Sequence, residues 1–384
     1  MKLLNLLLKN ARRSKRRTAL TVLSVAIAVF LFSSLRAILD GFASAVETSS
    51  STRIVTVRST SLMFQMPISH YDVIRSINGV RDVTWASWFG GVYKDSSNFF
   101  AQFAIEPESY MRIYPELLLS PEERQAFLAD RTGAVVGDAL ARRFGFKVGD
   151  TLVLKVGIPL YGRQDYTFTV RGIYRAGVQG FDNQSMFFHW KYLEERSLIK
   201  GQVGWYVAQL GDPSLATSVS AAVDGRFANT AFETKTETEK AFQASFAGMM
   251  GNLNLLLGGI SLAVIITTLF VSGNTMAMSV RERTTEVAVM RTLGFPASTI
   301  FLLVAGEALL IALVGGALGA GLARAVASSD NFTALAGIIP GFYVSGRNAA
   351  LAIGLAAAMG VIAGLIPATM AARLSVVDAL RRVA

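Results

Sequence analysis

Four long apolar segments alternate with polar segments along the chain of 384 residues. A helix needs about 20 predominantly apolar residues to cross a bilayer. The segments predict transmembrane helices TM1 at 18–39, TM2 within 246–280, TM3 at 299–323 and TM4 at 348–372. No charged residue stands between Lys240 and Arg281. Because this stretch is longer than one span requires, we expect its first part to be a stalk outside the membrane, with TM2 beginning near Asn254.

Residues 40–245, between TM1 and TM2, have a different pattern, in which short runs of β-branched and aromatic residues are separated by turn residues. Such runs predict β-strands. Ser120-Pro-Glu-Glu123 is a capping box that begins a helix, and Thr236-x-x-Glu239 predicts a second one before the stalk. The pattern therefore predicts a four-helix membrane protein with an α+β domain, comprising a core domain and a smaller subdomain, inserted between TM1 and TM2. We call residues 40–245 the inserted domain.

The net charge of +10 lies in short segments beside the apolar ones. Residues 1–17 carry seven basic and no acidic residues, 281–298 has a net charge of +1 and 373–384 has one of +2. The inserted domain has a net charge of −1. Because basic residues beside spans mark the cytoplasmic side, we expect both termini and 281–298 in the cytoplasm. The inserted domain and a short loop at 324–347 are then external. No basic face remains for nucleic acid, so we exclude nucleic-acid binding.

The first 17 residues predict a cytoplasmic interfacial helix, because leucines at helical spacing lie opposite lysines and arginines. A cleavable signal peptide is the alternative, since a basic start, an apolar run and Ala43-Ser-Ala45 fit its outline. The apolar run exceeds the length of roughly 7–15 residues that is usual for a signal peptide. We therefore expect a retained anchor.

Residues 281–298, which we call the inter-span segment, form a charged stretch between TM2 and TM3. Helix-forming residues fill 281–293, Gly294 stands where a left-handed C-cap is needed, and Pro296 prevents the helix from continuing. Such a helix is well placed to dock on a partner protein. The alternative is a plain loop, since positive charge alone satisfies the topology rule. The candidate docking residues are Arg281, Glu282, Arg283, Glu286, Met290, Arg291 and Gly294.

Two features lie inside the predicted spans. Glu307 in TM3 is a functional candidate because an ionised carboxylate is costly in lipid, and the alternative is a structural pairing with a residue such as Arg291 or Arg324. Small-residue ridges in TM3 and TM4 let helices approach closely, either in a dimer or within one bundle. The ridge residues are Gly315, Gly319, Gly360 and Gly364.

Aromatic residues cluster in one predicted strand–turn region of the inserted domain, namely Trp85, Trp88, Phe89 and Tyr93. They either contact an amphipathic cargo or partner protein or form the core of the sheet, because strand alternation buries only about half of such positions. His70 and His189 have no carboxylates at metal-ligand spacing, and the chain has no cysteine. We therefore expect no metal site and no disulfide.

Nucleotide-binding and hydrolase motifs are absent from the sequence. The chain has no Gly-x-x-x-x-Gly-Lys-Ser/Thr and no Gly-Lys dipeptide, so it does not cradle ATP phosphates in the P-loop manner. It has no Gly-x-Ser-x-Gly or zincin motif. We expect a non-catalytic membrane subunit, with no catalytic residue and no bound cofactor, that is driven by another chain.

Three motifs, spread over the whole chain, are similar to those of one family. The inter-span segment has Arg281-Glu-Arg283, Glu286, Met290, Arg291, Leu293 and Gly294. The tail has Pro367, Ala368, Ala371, Arg373, Leu374, Val377, Asp378, Ala379, Leu380 and Arg381, with Val376 in place of a proline and Asp378 in place of glutamate. Residues 134–150 look like a periplasmic core domain. The chain thus resembles the four-helix ABC transporter permeases of the FtsX/MacB type, which work by mechanotransmission and include the lipoprotein-releasing permeases.

The resemblance implies that the inter-span segment is a coupling helix docked on an ABC ATP-binding subunit, which binds ATP and Mg²⁺. It implies a second permease copy, a homodimer more often than a heterodimer, in the lipid of the bacterial inner membrane. The implied function is ATP-driven export or extraction of a lipoprotein, a lipid-like molecule or an amphipathic peptide or drug, with a periplasmic adaptor or lipoprotein carrier as a further partner. The alternatives are a signalling subunit that activates an extracytoplasmic partner such as a cell-wall hydrolase, and a membrane-anchored binding protein without an ATPase.

Overall fold

Two structural units make up the chain, a bundle of long helices and a domain built on a mixed β-sheet. The computed structural model of the protein describes residues 14–374 apart from 63, 97, 179–180, 250–251 and 330–343. The predicted interfacial helix at 1–17, the tail at 373–384 and the external loop at 324–347 therefore lie largely outside the described residues. The tail motif from Val376 to Arg381 lies outside them entirely.

The elements in the described part of the chain are numbered in order. The helices are α1 (Lys15–Thr48), α2 (His70–Arg75), α3 (Pro107–Ile113), α4 (Pro121–Ala129), α5 (Asp138–Phe144), α6 (Trp190–Arg196), α7 (Ala216–Phe227), α8 (Glu239–Met249), α9 (Leu253–Glu282), α10 (Thr284–Thr292), α11 (Ala297–Ala327) and α12 (Gly346–Ala372). The strands are β1 (Arg53–Arg58), β2 (Met66–Pro67), β3 (Val80–Trp88), β4 (Val92–Tyr93), β5 (Gln102–Ile105), β6 (Leu117–Leu118), β7 (Gly133–Gly137), β8 (Thr151–Lys155), β9 (Tyr166–Ala176), β10 (Met186–His189), β11 (Gln202–Val203), β12 (Trp205–Leu210) and β13 (Thr234–Thr238).

Four of the described helices are long and apolar enough to cross a membrane. The candidate spans are Lys15–Gly41 in α1, Asn254–Glu282 in α9, Ala297–Ala327 in α11 and Gly346–Ala372 in α12. Along the chain, the α+β domain follows the first of these helices and precedes the second. The predicted fold class is therefore confirmed.

Small residues dominate one buried contact of the helix bundle. Val25 and Val29 of α1 meet Ala320 of α11 and Ala352 and Ala356 of α12 in one buried cluster. Alanine keeps helix axes close, and close packing is what holds helices together where lipid removes the hydrophobic driving force. The contact among α1, α11 and α12 is thus built from short side chains.

Eleven of the described strands form one mixed sheet in the order β13-β1-β12-β3-β5-β10-β7-β9-β8-β4, with β6 paired to β9. The β5–β10 and β7–β9 pairs are parallel. At one edge β1 pairs with β13 in antiparallel register, with Ile54 opposite Thr238. Because β1 follows α1 and β13 precedes α8, the chain enters and leaves the inserted domain through neighbouring strands.

The sheet of the inserted domain is covered on both faces. Phe187 and Phe188, adjacent in β10, belong to two different core clusters because successive side chains of a strand point to opposite faces. One cluster joins the sheet to α2, α5, α6 and α7, and the other joins it to α3 and α4. The domain is therefore a sheet with helices on both sides.

The chain between the sheet and α9 differs from the sequence prediction. Thr236 does not cap a helix: it lies in β13, and its hydroxyl donates a hydrogen bond to Asp224 Oδ1 at 2.7 Å. Thr238 caps α8 instead, with its Oγ1 accepting from the Ala241 amide at 3.2 Å. The predicted capping box at Thr236 was wrong because pairing with β1 keeps Thr236 extended. A separate cap begins α9, where the Asn252 side chain accepts from the Leu255 amide at 3.0 Å.

Candidate functional site

The inter-span segment contains a break between two helices. α9 ends at Glu282, Arg283 is non-helical with φ −103° and ψ 15°, and α10 begins at Thr284. The Thr284 hydroxyl donates to the carbonyl oxygen of Arg281 at 2.8 Å, and such side-chain bonds compete with the helical ladder. The predicted single helix over 281–293 was therefore wrong: Arg281 and Glu282 belong to the second span, and only α10 is a separate short helix.

A Schellman motif ends α10, as the glycine and proline predicted. Gly294 has φ +88°. The Phe295 amide donates to the carbonyl oxygen of Met290 at 3.0 Å, and the Gly294 amide donates to that of Arg291 at 3.1 Å. Pro296, extended at φ −68° and ψ 153°, is the N-cap residue before α11. The turn between α10 and α11 is thus fixed by local backbone bonds.

Glu307 is buried in the helix bundle and paired with Arg283. Arg283 Nη1 donates to Glu307 Oε2 at 2.8 Å, and Glu307 is only 6% exposed. The suggested partners were wrong. Arg324 follows Glu307 by 17 positions on the same helix, a rise of about 25 Å. Arg291 instead donates to the carbonyl oxygen of Ala372 at 3.4 Å. The carboxylate that stood out in the sequence is therefore neutralised by the residue at the α9–α10 break.

A cavity of about 220 Å³ lies beside this ion pair. Its lining is mostly apolar and comes from α9, α10 and α11, with Met276, Val287, Met290 and Leu303 among the lining residues. Met290 also packs on a buried cluster that includes Val280, Ile300 and Ala371. The inner side of α10 is therefore held to three helices of the bundle.

Polar contacts bring the termini of several helices together at one end of the bundle. Arg17, near the start of α1, forms an ion pair with Glu282 at the end of α9 and donates to Ser279 Oγ at 2.8 Å. Arg291 of α10 reaches the last residue of α12. The start of α1, the end of α9, α10 and the end of α12 thus lie at one end of the bundle.

The outer side of α10 and the turn after it exposes apolar side chains. Val289, Leu293 and Phe295 are 50%, 72% and 45% exposed. None of the three was among the predicted docking residues, although Leu293 is part of the inter-span motif. The spacing of four between Val289 and Leu293 is the signal that predicts a shared helix face. Of the predicted docking residues, Arg281, Glu282 and Gly294 are exposed, whereas Arg283, Glu286, Met290 and Arg291 are partly buried.

The ridge glycines pack within one helix bundle. A Cβ on Gly315 would lie 2.8 Å from Val25 Cβ, and one on Gly319 would lie 2.3 Å from the carbonyl oxygen of Ala26, both in α1. Added Cβ atoms on Gly360 and Gly364 would lie 2.6 and 2.7 Å from alanine Cβ atoms of α11. Close approach of helices in a single copy thus accounts for all four glycines.

The aromatic cluster of the inserted domain does not form one surface patch. Phe89 is completely buried. Trp85 and Trp88, three positions apart in β3, contact different aromatic neighbours on opposite faces of the sheet. Tyr93 packs edge-on against three phenylalanines. Phe89 therefore leaves the predicted patch as a core residue, and a role in binding stays a prediction for the other three.

Both histidines are buried in the inserted domain. His70 stacks on Phe227 with ring centroids 3.9 Å apart, and burial lowers its pKa below 6.5. His189 Nε2 lies 2.7 Å from the carbonyl oxygen of Phe127, and burial lowers its pKa as well. Across the described residues, no group of three or more His, Cys, Asp or Glu side chains is placed to hold a metal ion.

The fold and the inter-span segment define a membrane protein with four candidate spans, an α+β domain between the first two and a short helix between the second and third. Comparison with protein families gives two matches. The MacB-like periplasmic core domain matches residues 18–226, and the FtsX-like permease C-terminal domain matches residues 258–376. The chain therefore belongs to the ABC transporter permeases of the FtsX/MacB type.

Individual relatives match over different lengths. An uncharacterized ABC transporter permease of Methanocaldococcus jannaschii is 21% identical, over 97% of this chain and 96% of that protein. The macrolide export ATP-binding/permease protein MacB of Photorhabdus laumondii is 35% identical over 36% of this chain and 19% of its own length. The MacB protein of Campylobacter fetus is 29% identical over 38% of this chain and 22% of its own length. The chain thus matches about a fifth of the length of these MacB proteins.

Two solved structures are similar to part of the chain. The periplasmic region of MacB from Actinobacillus actinomycetemcomitans covers 51% of this chain and 92% of its own, with 11% identity and a TM-score of 0.36. The extracellular domain of the transporter YknZ covers 48% of this chain and 100% of its own, with 12% identity and a TM-score of 0.36.

Proposed function

We propose that the chain is the membrane subunit of an ATP-driven exporter or extractor in a bacterial inner membrane. Both termini and the inter-span segment lie in the cytoplasm, and the inserted domain lies outside. The observation that carries the proposal is the two-sided environment of α10. Met290 holds its inner side to the bundle and Arg283 anchors the break before it, while Val289 and Leu293 are exposed. A helix with this arrangement can transmit force from a bound partner to the transmembrane helices.

An ABC ATP-binding subunit is the proposed partner of this exposed side. Adjacent exposed apolar side chains outside the lipid mark interaction sites, and Val289, Leu293 and Phe295 form such a group. The partner binds ATP and Mg²⁺, and this chain holds no cofactor and performs no catalysis. The coupling residues are the exposed members of the inter-span segment, with Arg283 as the anchor behind them.

A second copy of the permease is the proposed neighbour of α9. In the most apolar stretch of α9 only 17% of the residues are buried within the described chain, compared with 44% for α11. The least covered span has the most surface for lipid and for another copy. We propose a homodimer in which α9 faces both.

The proposed cargo is a lipoprotein, a lipid-like molecule or an amphipathic peptide or drug at the outer side of the membrane. Relatives named as macrolide export proteins support an amphipathic cargo. A periplasmic adaptor or a lipoprotein carrier would accept the cargo. The inserted domain would move it when the ATP-binding subunits close.

Co-purification tests the proposed partner. The full chain is co-expressed with an ABC ATP-binding subunit from the same organism and purified in detergent. We expect Leu293→Glu to reduce recovery of that subunit about tenfold, because a charge replaces an apolar contact. The matched control is Leu198→Glu in the inserted domain, where Leu198 is 70% exposed. Equal recovery with both variants would rule out docking at α10.

Reconstitution separates export from signalling. The complex is placed in proteoliposomes loaded with a labelled lipoprotein or an amphipathic drug, and ATP hydrolysis and cargo release are followed together. Cargo-stimulated ATP hydrolysis with release supports export. ATP-dependent activation of a cell-wall hydrolase with no release would replace export by the signalling function.

A further inference from the structure

Arg53 and Glu239 join the two points at which the chain passes into and out of the inserted domain. Arg53 is the first residue of β1, and Glu239 is the first residue of α8. Arg53 Nε donates to Glu239 Oε2 at 2.7 Å. The backbone amide of Ser50, two residues after the end of α1, donates to the same oxygen at 2.9 Å. One carboxylate therefore holds the segment that follows α1 and the helix that leads toward α9.

The same arginine reaches a third part of the domain, at the end of α3. Arg53 Nη1 donates to Glu116 Oε1 and Oε2 at 2.9 and 3.1 Å, and to the carbonyl oxygen of Ile113 at 3.0 Å. Tyr114 contacts both charged residues. Its hydroxyl donates to Glu239 Oε1 at 2.9 Å, and its ring centroid lies 4.4 Å from the guanidinium carbon of Arg53. The network thus ties β1, α8 and α3 to one side chain.

The charged residues Arg53 and Glu239 of this network are buried. Arg53 is 4% and Glu239 is 7% exposed. Buried ion pairs contribute little net stability when they are compared with apolar side chains of the same size, but they are costly when one partner is missing. Their best-attested role is to select one arrangement of the chain. A lysine would not serve here, because the contacts use two different nitrogens of the planar guanidinium fork.

We propose that Arg53 is a positioning residue for force transmission. Its hydrogen bonds hold two segments, the one that follows α1 and the one that begins α8, against the end of α3. A displacement of either segment then reaches the core of the domain as one movement. The inference rests on the proposed function, since it assigns a role within an ATP-driven cycle.

Spin labels test this positioning role of Arg53 in the absence of ATP. The chain has no cysteine, so Glu108→Cys in α3 and Lys240→Cys in α8, both at exposed positions, label the two helices uniquely. We expect a narrow distance distribution in the otherwise unchanged chain and one about twofold broader in Arg53→Met, because unpaired buried charges disfavour the native arrangement. The matched control is Arg131→Met, which removes an exposed ion pair with Glu195. Equal widths in Arg53→Met and the control would overturn the inference.

Folding is monitored in the same samples. All four tryptophans lie in the inserted domain, so their fluorescence in the full chain reports on that domain. If Arg53→Met does not fold, Arg53→Lys carries the test, since it keeps the charge but loses the fork. We expect Arg53→Lys to give an intermediate width, and a width equal to that of the control would overturn the inference.

The second measurement adds the ATP-binding subunit, with the complex in lipid nanodiscs. Single labels at Glu108→Cys and Lys240→Cys are compared before and after ATP with vanadate. We expect ATP with vanadate to change the spectra of both labels when Arg53 is present. In Arg53→Met we expect the full spectral change only for the Lys240→Cys label. Full responses at both sites in Arg53→Met would overturn the inference alone. No response at either site with Arg53 present would overturn the proposed function and the inference with it.

Discussion

Arg283 donates a hydrogen bond to Glu307 across 2.8 Å, and this bond joins the break between α9 and α10 to the buried side of α11. Arg283 lies where the helical ladder is already interrupted. Glu307 lies about three turns into α11. The carboxylate therefore has a structural partner, as intramembrane charges normally do. The pair gives α10 a fixed relation to the third span.

Loss of one member of this pair should destabilise the helix bundle. We expect Arg283→Met to reduce stability by about 3 kcal/mol, because it leaves a buried carboxylate unpaired. The double variant Arg283→Met/Glu307→Leu should recover most of that loss. Thermal unfolding of the full chain in detergent, followed by circular dichroism, measures both. Arg281→Met is the control, since Arg281 is exposed. Equal losses from Arg281→Met and Arg283→Met would contradict the assignment.

A methyl group at Gly319 should disturb the contact between α11 and α1. We expect Gly319→Ala to destabilise the bundle by about 1–3 kcal/mol, because its Cβ would lie 2.3 Å from a backbone oxygen. Gly321→Ala, two positions along the same helix, meets nothing within 4 Å and should be neutral or stabilising by up to about 1 kcal/mol. Thermal unfolding compares the pair. A stable Gly319→Ala variant would show that the two helices do not approach so closely.

An alanine at Gly294 should loosen the end of α10. Its φ of +88° strains any L side chain, although the space around it is open. We expect a local loss of about 1 kcal/mol and therefore about fivefold faster hydrogen exchange of the α10 amides. Gly346→Ala, which also meets nothing within 4 Å, is the control. Unchanged exchange in Gly294→Ala would argue against the Schellman motif.

Stability of the inserted domain should fall as the pH drops below neutrality. Burial lowers the pKa of His70 below 6.5, so the unfolded state takes up a proton at a higher pH than the folded state does. The stabilisation is complete above about pH 6.5 and is lost as the pH falls through the lower folded pKa. His189, also with a lowered pKa, acts in the same direction.

His70→Phe should flatten this pH dependence in part, because phenylalanine has no titratable group, and its ring can still stack on Phe227. The measurement is urea unfolding of the full chain at pH 7 and pH 5.5, followed by tryptophan fluorescence. The remaining slope includes the contribution of His189. A slope identical to that of the unchanged chain would exclude His70 as the cause.

Two features that depend only on neighbouring residues were predicted correctly. The capping box at the start of α4 is present, with the Glu123 amide donating to Ser120 Oγ at 3.2 Å and the Ser120 amide donating to Glu123 Oε2 at 3.1 Å. The stop at Gly294 is present as well. In both cases the hydrogen-bonding groups lie within five positions of one another, so the sequence contains all the partners.

Features that depend on distant residues were not predictable in this way. Thr236 and Thr238 are both hydroxyl residues before a helix, and pairing of β13 with β1 decides which of them caps it. Phe89 was open to two interpretations, binding patch or sheet core, and contacts with Tyr166 and Phe188 of the distant strands β9 and β10 bury it completely. The candidate coupling residues divided in the same manner, since packing on the bundle turns Arg283 toward Glu307 and leaves Arg281 exposed.

The sequence by itself determined that the protein has four spans, an inserted α+β domain and a charged segment between the second and third spans, because length, hydropathy and local turn chemistry are properties of contiguous residues. Only the tertiary structure decided that Glu307 pairs with Arg283, and that Arg53 joins the two ends of the inserted domain. These partners are 24 positions apart in the first case and 186 in the second. Contacts of that kind form only when separate elements pack together, and no local pattern specifies which charges then meet.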